Sequence, residues 1–293
     1  LGFGGLEFKD LESLLVDRRL YKISIPSYYA VFLNQALNAQ LKDKNIRQAL
    51  GLGVDKQKIV SEVFDNHAMV IHGPITPSVA GYEPSIYKDE HFDPDTASAL
   101  LENNGWKREE DGIRAKIINR QKVRLEFEIV VPQAEFLIKT VEILKGGWEK
   151  IGIRLNPVVL RPSEVSNDII KTRNYQILIF GTIIKNNPDI FSFWHSSERF
   201  YPGGNLAIFN NKIVDGLLES IKIPLDPIKQ DEAVKKIQST IYQEQPAIFL
   251  YSPLYLYVTT KDLGGLEAQL INSRSGRFSN ITDWHLKTSR SFR

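Results

Sequence analysis

The stretch that decides the fold is LEFEIVVPQAEFLIKTVEILKGGWEKIGIRLNPVVL, residues 125–160. Over 125–129 apolar residues alternate with glutamates, which predicts a half-buried strand. From 134 to 151 apolar residues recur every three or four positions, which predicts a helix with one apolar face. Gly152 follows at the position where a glycine in the left-handed conformation commonly ends a helix. The pattern of residues 153–160 predicts a second strand. A strand, a helix and a strand in succession indicate the α/β class.

The alternation of helices and strands continues on both sides of this unit. Helices are predicted at 43–50, at 55–64 with Asp55 as cap, after the start signal Phe92-Asp93-Pro94-Asp95, and at 163–171, 212–222 and Pro227–Glu244. Strands are predicted at 175–181 and in a last pair that carries Tyr251, Tyr255 and Tyr257, with Pro253 at the turn. Pro74, Pro77 and Pro84 make 72–87 a loop.

Composition narrows the class of protein. The chain has 293 residues, 42% hydrophobic and 25% charged, an ordinary globular balance. At about 150 residues per domain this predicts two domains or one large α/β unit. The net charge is +2 and the charges are interleaved, so the basic stripe expected of a nucleic-acid-binding protein is missing. The longest apolar stretches, 177–184 and 248–258, fall short of the ~20 residues that a membrane helix needs.

The chain contains no cysteine, which excludes thiol catalysis and cysteine-ligated zinc or iron–sulfur clusters. An exported protein that avoids stray oxidation fits this, and so do many cytosolic chains. The sequence begins at Leu1 without an initiator methionine or a signal peptide. We expect an internal piece of a longer protein, or else a mature or trimmed form.

Signatures of enzymes and metal sites are missing. The sequence has no nucleophile elbow, no phosphate-binding loop and no zinc-protease motif. Its five histidines show no ligand spacing, and the run Glu109-Glu110-Asp111 is typical of a solvated turn. No cofactor and no metal are therefore expected.

One passage, 181–197, is unusual. A buried strand ends in a polar Asn-Asn-Pro loop, and Phe191, Phe193, Trp194 and His195 follow. Ligands of open α/β sheets bind at the carboxyl ends of strands, and an aromatic rim there suits a large, partly apolar ligand. The same aromatic residues are equally typical of the core of a short helix. Gly203-Gly204-Asn205 supplies either a ligand amide or a plain turn.

At these residues the chain resembles the bacterial extracellular solute-binding proteins of family 5, the peptide, dipeptide and nickel receptors of ABC importers. The resemblance rests on segments in the family's order. They are Phe32-Leu33-Asn34 with 42–50 and 54–60, the Pro loop with Pro74 and Pro77, 92–97 with Gly105-Trp106, 148–153, Asn187-Pro188-Asp189 with 193–197, Asn205-Leu206 with 214–218, and 246–251.

The resemblance implies a fold and a function. The fold is α/β of the type II periplasmic-binding-protein kind, here mainly the second lobe with hinge strands and a C-terminal return. The implied division is a first-lobe end and hinge at 1–36, a second lobe at 37–245 and a return segment at 246–293. Most of the first lobe would lie upstream. The implied protein is exported to the periplasm or cell surface, monomeric and not an enzyme. It binds peptides or peptide-like solutes by hinge closure and serves the permease subunits of an ABC importer.

The resemblance also suggests ligand residues. In the peptide-binding branch the ligand backbone pairs as an added strand with the segment here occupied by Gly181, Thr182 and Ile183. Lys185 stands in the region of the family's ammonium-binding aspartate and would repel a free peptide N-terminus. Asn187 lies in the same loop, and with Trp194 and Asn205 it completes the predicted ligand set. Arg47 is expected to form a salt bridge within the lobe.

Two other classes of function stay open at the level of sequence. One is an α/β hydrolase or transferase that uses Asp189, His195 or Ser196, since a triad need not be local in sequence. The other is a sensor module that keeps the fold and has lost transport.

Overall fold

The computed structural model describes residues 2–4, 18–184, 190–223, 226–259, 263–266, 270–271 and 273–286. The strands of this part of the chain are, in order, β1 (Gly2–Gly4), β2 (Arg19–Ile23), β3 (Ser27–Leu33), β4 (Ala68–Val70), β5 (Lys107–Arg108), β6 (Arg114–Ile118), β7 (Gln121–Arg124), β8 (Glu126–Pro132), β9 (Arg154–Leu160), β10 (Ile177–Ile183), β11 (Ala247–Pro253), β12 (Tyr255–Thr259), β13 (Leu263–Gly264) and β14 (His285–Leu286).

The longer helices lie between these strands. They are α1 (Lys44–Leu52), α2 (Lys56–Phe64), α3 (Pro94–Asn103), α4 (Glu135–Lys150), α5 (Lys212–Ser220) and α6 (Pro227–Glu244). Shorter helical turns occur at Gln40–Lys42, Pro84–Tyr87, Pro162–Glu164, Phe191–Trp194, Ser196–Arg199, Arg274–Phe278 and Ile281–Asp283, and Val165–Ile170 is π-helical. Among the described residues no helix is both long and apolar enough to cross a membrane.

A six-stranded mixed sheet in the order β4-β11-β3-β10-β8-β9 forms the centre. The pairs β10–β8 and β8–β9 are parallel, and the other pairs are antiparallel. One apolar core packs α1 to α4 on one face, and a second packs α5, α6 and the 190–209 segment on the other. Because both faces are covered, the molecule here has the three layers of an α/β fold. The α/β class and the unit at 125–160 are confirmed.

Smaller sheets flank this centre. β1, β12 and β2 form an antiparallel sheet, and β5, β6 and β7 form another. The chain passes from the first of these into the central sheet between β2 and β3, and it passes back between β11 and β12. The last predicted pair of strands is therefore no hairpin, because β11 pairs with β3 and β4 whereas β12 pairs with β1 and β2.

Four helix starts are capped by aspartates, among them Asp55 and Asp93 of the predicted start signals. Asp43, Asp55, Asp93 and Asp226 each accept a hydrogen bond from a backbone N–H of the first turn that follows. Gly152 has a φ of +84°, the conformation expected of a glycine after a helix end.

Two predicted elements differ from the observed ones. The helix expected at 163–171 is one α-helical turn followed by π-helix. The strand expected at 175–181 runs instead from Ile177 to Ile183, because its antiparallel pairing with β3 continues to Ser27. Arg47 forms a salt bridge, as expected from the sequence, and its partner is the Glu244 carboxylate at 3.6 Å.

Candidate functional site

The end of β10 is paired on one side only. Its register with β3 is continuous, from Ile177 opposite Leu33 to Ile183 opposite Ser27. With β8 it is short, since Leu178 opposite Val130 is the last pair, after which β8 continues beside β9 alone. From residue 179 onward, no strand of the described chain is paired with this second edge of β10.

The open edge carries backbone donors and acceptors. The Ile184 N–H donates to the Pro26 carbonyl at 2.8 Å, so the even-numbered residues of this segment turn their backbone groups toward β3. Successive residues of a strand point their N–H and C=O groups to opposite sides. Gly181 and Ile183 therefore turn theirs to the open edge. Such a row is a template for one more strand.

The two faces of this edge differ. On one face Thr182 is buried next to Tyr28 and Trp194; burial raises the pKa of Tyr28, and these two neighbours offset part of the effect. On the other face the ring of Tyr29 lies over Gly181. Ile183 is 61% exposed. The strand end is thus packed against the core through the side chain of Thr182, whereas the side chain of Ile183 is exposed to solvent.

Sequence reasoning missed Tyr29. Its ring meets Phe136 edge-on with centroids 5.1 Å apart, and it stacks on Tyr251 at 5.5 Å. The signal was present, because Tyr28 and Tyr29 follow each other in a strand and must face opposite sides of the sheet.

Trp194 and Asn205 lie in the interior. Trp194 has no exposed surface and packs between Phe209 and Phe249. Asn205 is equally buried, and its side-chain nitrogen donates to the carbonyls of His195 and Phe209 at 3.1 and 2.9 Å. Both hold the 190–209 segment together, and neither offers a side-chain surface to a ligand in solvent. The structure places Gly181, Thr182 and Ile183 together at the strand end. The side chains of Thr182, Trp194 and Asn205 are all buried, so only Gly181 and Ile183 of the described set reach the open edge. Lys185 and Asn187 lie outside the described residues.

A model of the bacterial extracellular solute-binding proteins, family 5 (middle), matches residues 6–200. That is well over half of the chain. The chain belongs to this family.

Individual solute-binding proteins are similar to most of this chain. The oligopeptide-binding protein AppA of Bacillus subtilis is 25% identical over 230 residues, covering 78% of this chain and 41% of that protein. The dipeptide-binding protein of Escherichia coli is 21% identical over 258 residues, covering 87% and 46%. This family 5 chain spans about half the length of these relatives.

Solved structures share the fold. AppA from Bacillus subtilis in complex with a nonapeptide superposes with a TM-score of 0.79 at 23% identity, covering 98% of this chain and 56% of that chain. NikZ from Campylobacter jejuni in complex with Ni(L-His) gives 0.75 at 24% identity, covering 94% and 55%. The type II periplasmic-binding-protein architecture expected from the sequence is confirmed.

The His195 region of this family 5 chain is built as a helix cap. The Nδ1 atom of His195 accepts the Ser197 N–H at 3.1 Å and lies 2.8 Å from the Ser197 hydroxyl, while Nε2 faces Glu219 at 3.2 Å. The Ser196 hydroxyl donates to Asp215 rather than to the imidazole. Because Nδ1 accepts from the backbone of the turn that it caps, His195 has a structural task. Asp189 lies outside the described residues.

The acidic run at 109–111 is held by arginine side chains. Glu109 and Asp111 form ion pairs with Arg124, and Asp111 also pairs with Arg154. Among the described residues no three His, Cys, Asp or Glu side chains form a group that could hold a metal ion.

Proposed function

We propose that this chain is part of a ligand-binding cleft in the solute-binding component of an ABC importer, and that its ligand is a peptide or peptide-like solute. The observation that carries the proposal is the open edge of β10. A ligand backbone that adds to this edge gains main-chain hydrogen bonds with Gly181 and Ile183, and such bonds do not depend on the ligand's side chains. Family membership and the names of the relatives support the same ligand class.

The mechanism is binding by hinge closure, without covalent chemistry. The chain crosses between the sheets at two places, β2–β3 and β11–β12, and each connection is short. The two crossings are adjacent, since the Ser252 hydroxyl near the end of β11 donates to the Ile25 carbonyl between β2 and β3 at 3.2 Å. Paired short crossings are suited to a hinge. On this proposal the segments 1–36 and 246–293 carry the hinge and first-lobe parts, and 37–245 is the second lobe. The complete protein acts as a monomer outside the cytoplasmic membrane, delivers its ligand to permease subunits and is not an enzyme.

The backbone pairing is tested by Ile183→Pro. Proline removes the one N–H that residue 183 offers to the open edge and leaves the ladder with β3 intact, because that N–H points away from β3. An unpaired ligand carbonyl costs about 1–3 kcal/mol, so we expect calorimetry with peptides from a mixed library to show about tenfold weaker binding or more.

The matched control is Ile183→Ala, which removes the exposed side chain and keeps the N–H. It should bind within about threefold of the wild type, since the lost contact is small. Equal affinity of the proline variant and the wild type, for peptides that do bind, contradicts pairing at this edge. A wild-type protein that captures no peptide contradicts the ligand class.

A further inference from the structure

Gly181 leaves room that an aromatic ring fills. A Cβ atom built on Gly181 would lie 2.9 Å from Cε1 and 3.1 Å from Cζ of Tyr29, closer than real side chains approach. Tyr29 stands directly opposite Gly181 in the β3–β10 ladder. The outer part of its ring, at Cε1 and Cζ, therefore lies over Gly181.

The Tyr29 ring packs against other aromatic rings. Tyr251 stacks on it, and Phe64 packs on Tyr251 with centroids 4.5 Å apart. The Tyr251 hydroxyl is fixed in turn by Thr140 at 3.0 Å. Tyr251 and Phe64 are buried, whereas Tyr29 and Phe136 are only half-buried. Tyr29 and Phe136 are thus the partly exposed members of an aromatic cluster that begins opposite Gly181.

Strand geometry says which part of a ligand meets this patch. In an added strand the residue opposite Gly181 projects its side chain to the same face as Gly181 would, with the neighbouring Cβ positions about 5 Å apart. Since Gly181 has no side chain, the nearest group on that face is the ring of Tyr29. Ligand residues one step away along the strand point to the opposite face.

We propose that Tyr29 and Phe136 form a side-chain subsite that favours an aromatic or large apolar residue at the ligand position opposite Gly181. This inference rests on the proposed function, because it assumes that the ligand backbone pairs with β10. The backbone pairing gives affinity for peptides in general, and the subsite adds a preference at one position. Aromatic pairs gain from ring geometry in addition to the burial of apolar area.

The test compares Tyr29→Ala with the matched control Tyr29→Phe in the complete protein. The probes are two peptides that bind the wild type and differ only at one position, Phe in one and Ser in the other, with that position chosen by scanning along the peptide. For the wild type we expect about tenfold tighter binding of the Phe peptide. Tyr29→Ala should reduce that ratio to within about twofold of unity, and Tyr29→Phe should keep it, since the ring remains.

A second variant guards against a folding defect in Tyr29→Ala. Phe136→Leu, at a half-buried helix position, keeps the apolar volume and removes the ring edge, so the ratio should fall in part. The inference is overturned if peptides bind and both variants keep the wild-type ratio at every scanned position. If no peptide binds the wild type, the proposed function itself fails, and the two failures are thereby distinguished.

Discussion

Lys56 shows at the scale of a residue how charge is buried in this fold. Its Nζ donates to the Ile71 carbonyl at 3.1 Å and pairs with Glu90, whose other oxygen lies 2.8 Å from His72 Nδ1. Burial alone would raise the pKa of Glu90, but Lys56 and His72 outweigh it and hold that pKa below its ordinary value. Burial also lowers the pKa of Lys56 despite the nearby carboxylate. Breaking such a buried pair typically costs about 3–5 kcal/mol.

Stability should fall in acid because of Glu90. A carboxyl whose folded pKa is depressed stabilises the protein above its unfolded pKa, about 4.3 for Glu, and this contribution is lost as the pH falls through the folded pKa. We expect urea unfolding at neutral pH and near pH ~3 to show a smaller acid loss in Glu90→Gln than in the wild type. Glu62→Gln, at an exposed helix position, controls for the exchange of a carboxyl for an amide. An acid loss as large in Glu90→Gln as in the wild type would contradict the assignment.

The candidate site was predictable from the sequence only in part, for a reason that belongs to single residues. The local pattern predicts a strand that ends near Gly181, and the family resemblance adds Ile183 to the predicted ligand set. Trp194 and Asn205 could not be sorted into ligand contacts or core, since an aromatic ring and a buried amide have the same sequence in either task. What decides for Trp194 is its packing against Phe209 of the same segment and against Phe249 of β11, a distant part of the chain.

At the scale of elements the helix starts are set by single capping side chains. The Asp93 carboxylate accepts the Thr96 N–H at 2.9 Å, and Pro94 occupies the first helical position. Asp93→Ala should lower the free energy of unfolding by about 1 kcal/mol, measured by urea denaturation. Asp95→Ala, in the same turn but without the cap bond, should cost less, about 0.3–1 kcal/mol through the helix dipole. A larger loss in Asp95→Ala than in Asp93→Ala would be inconsistent with the cap.

The elements that sequence reasoning missed lack such local signals. The hairpin of β6 and β7 turns at Asn119-Arg120, where both residues have positive φ. Tight hairpin turns of this kind favour a glycine at the second turn position. Arg120 occupies that position, so the sequence does not predict the turn. The π-helix at Val165–Ile170 is equally invisible to a periodicity argument, because π-helical turns occur as short departures from an α-helix rather than as a repeating pattern.

At the scale of the whole molecule, backbone hydrogen bonds connect the region of the central sheet with the two chain crossings between the sheets. Leu254, between β11 and β12, donates to the His67 carbonyl at 3.0 Å, and Ile184 donates to Pro26 between β2 and β3. The open edge of β10 therefore ends beside the crossing. On the proposed function, a ligand strand on that edge would lie close to the axis about which a second lobe closes, where a small rotation would bring the other lobe into contact with it.

On the proposed two-lobed cleft, residues 1–293 alone should bind peptide more weakly than a form that carries both lobes. A cleft between two lobes covers a ligand from both sides and excludes water, so one lobe loses much of the contact area and the closure. Calorimetry with the same peptide should show at least about tenfold weaker binding for residues 1–293. Ile183→Pro should weaken binding by a similar factor in both forms, because the bond that it removes belongs to this part of the chain. Equal affinity of the two forms would mean that the ligand is held by this lobe alone, and the closing cleft would have to be abandoned.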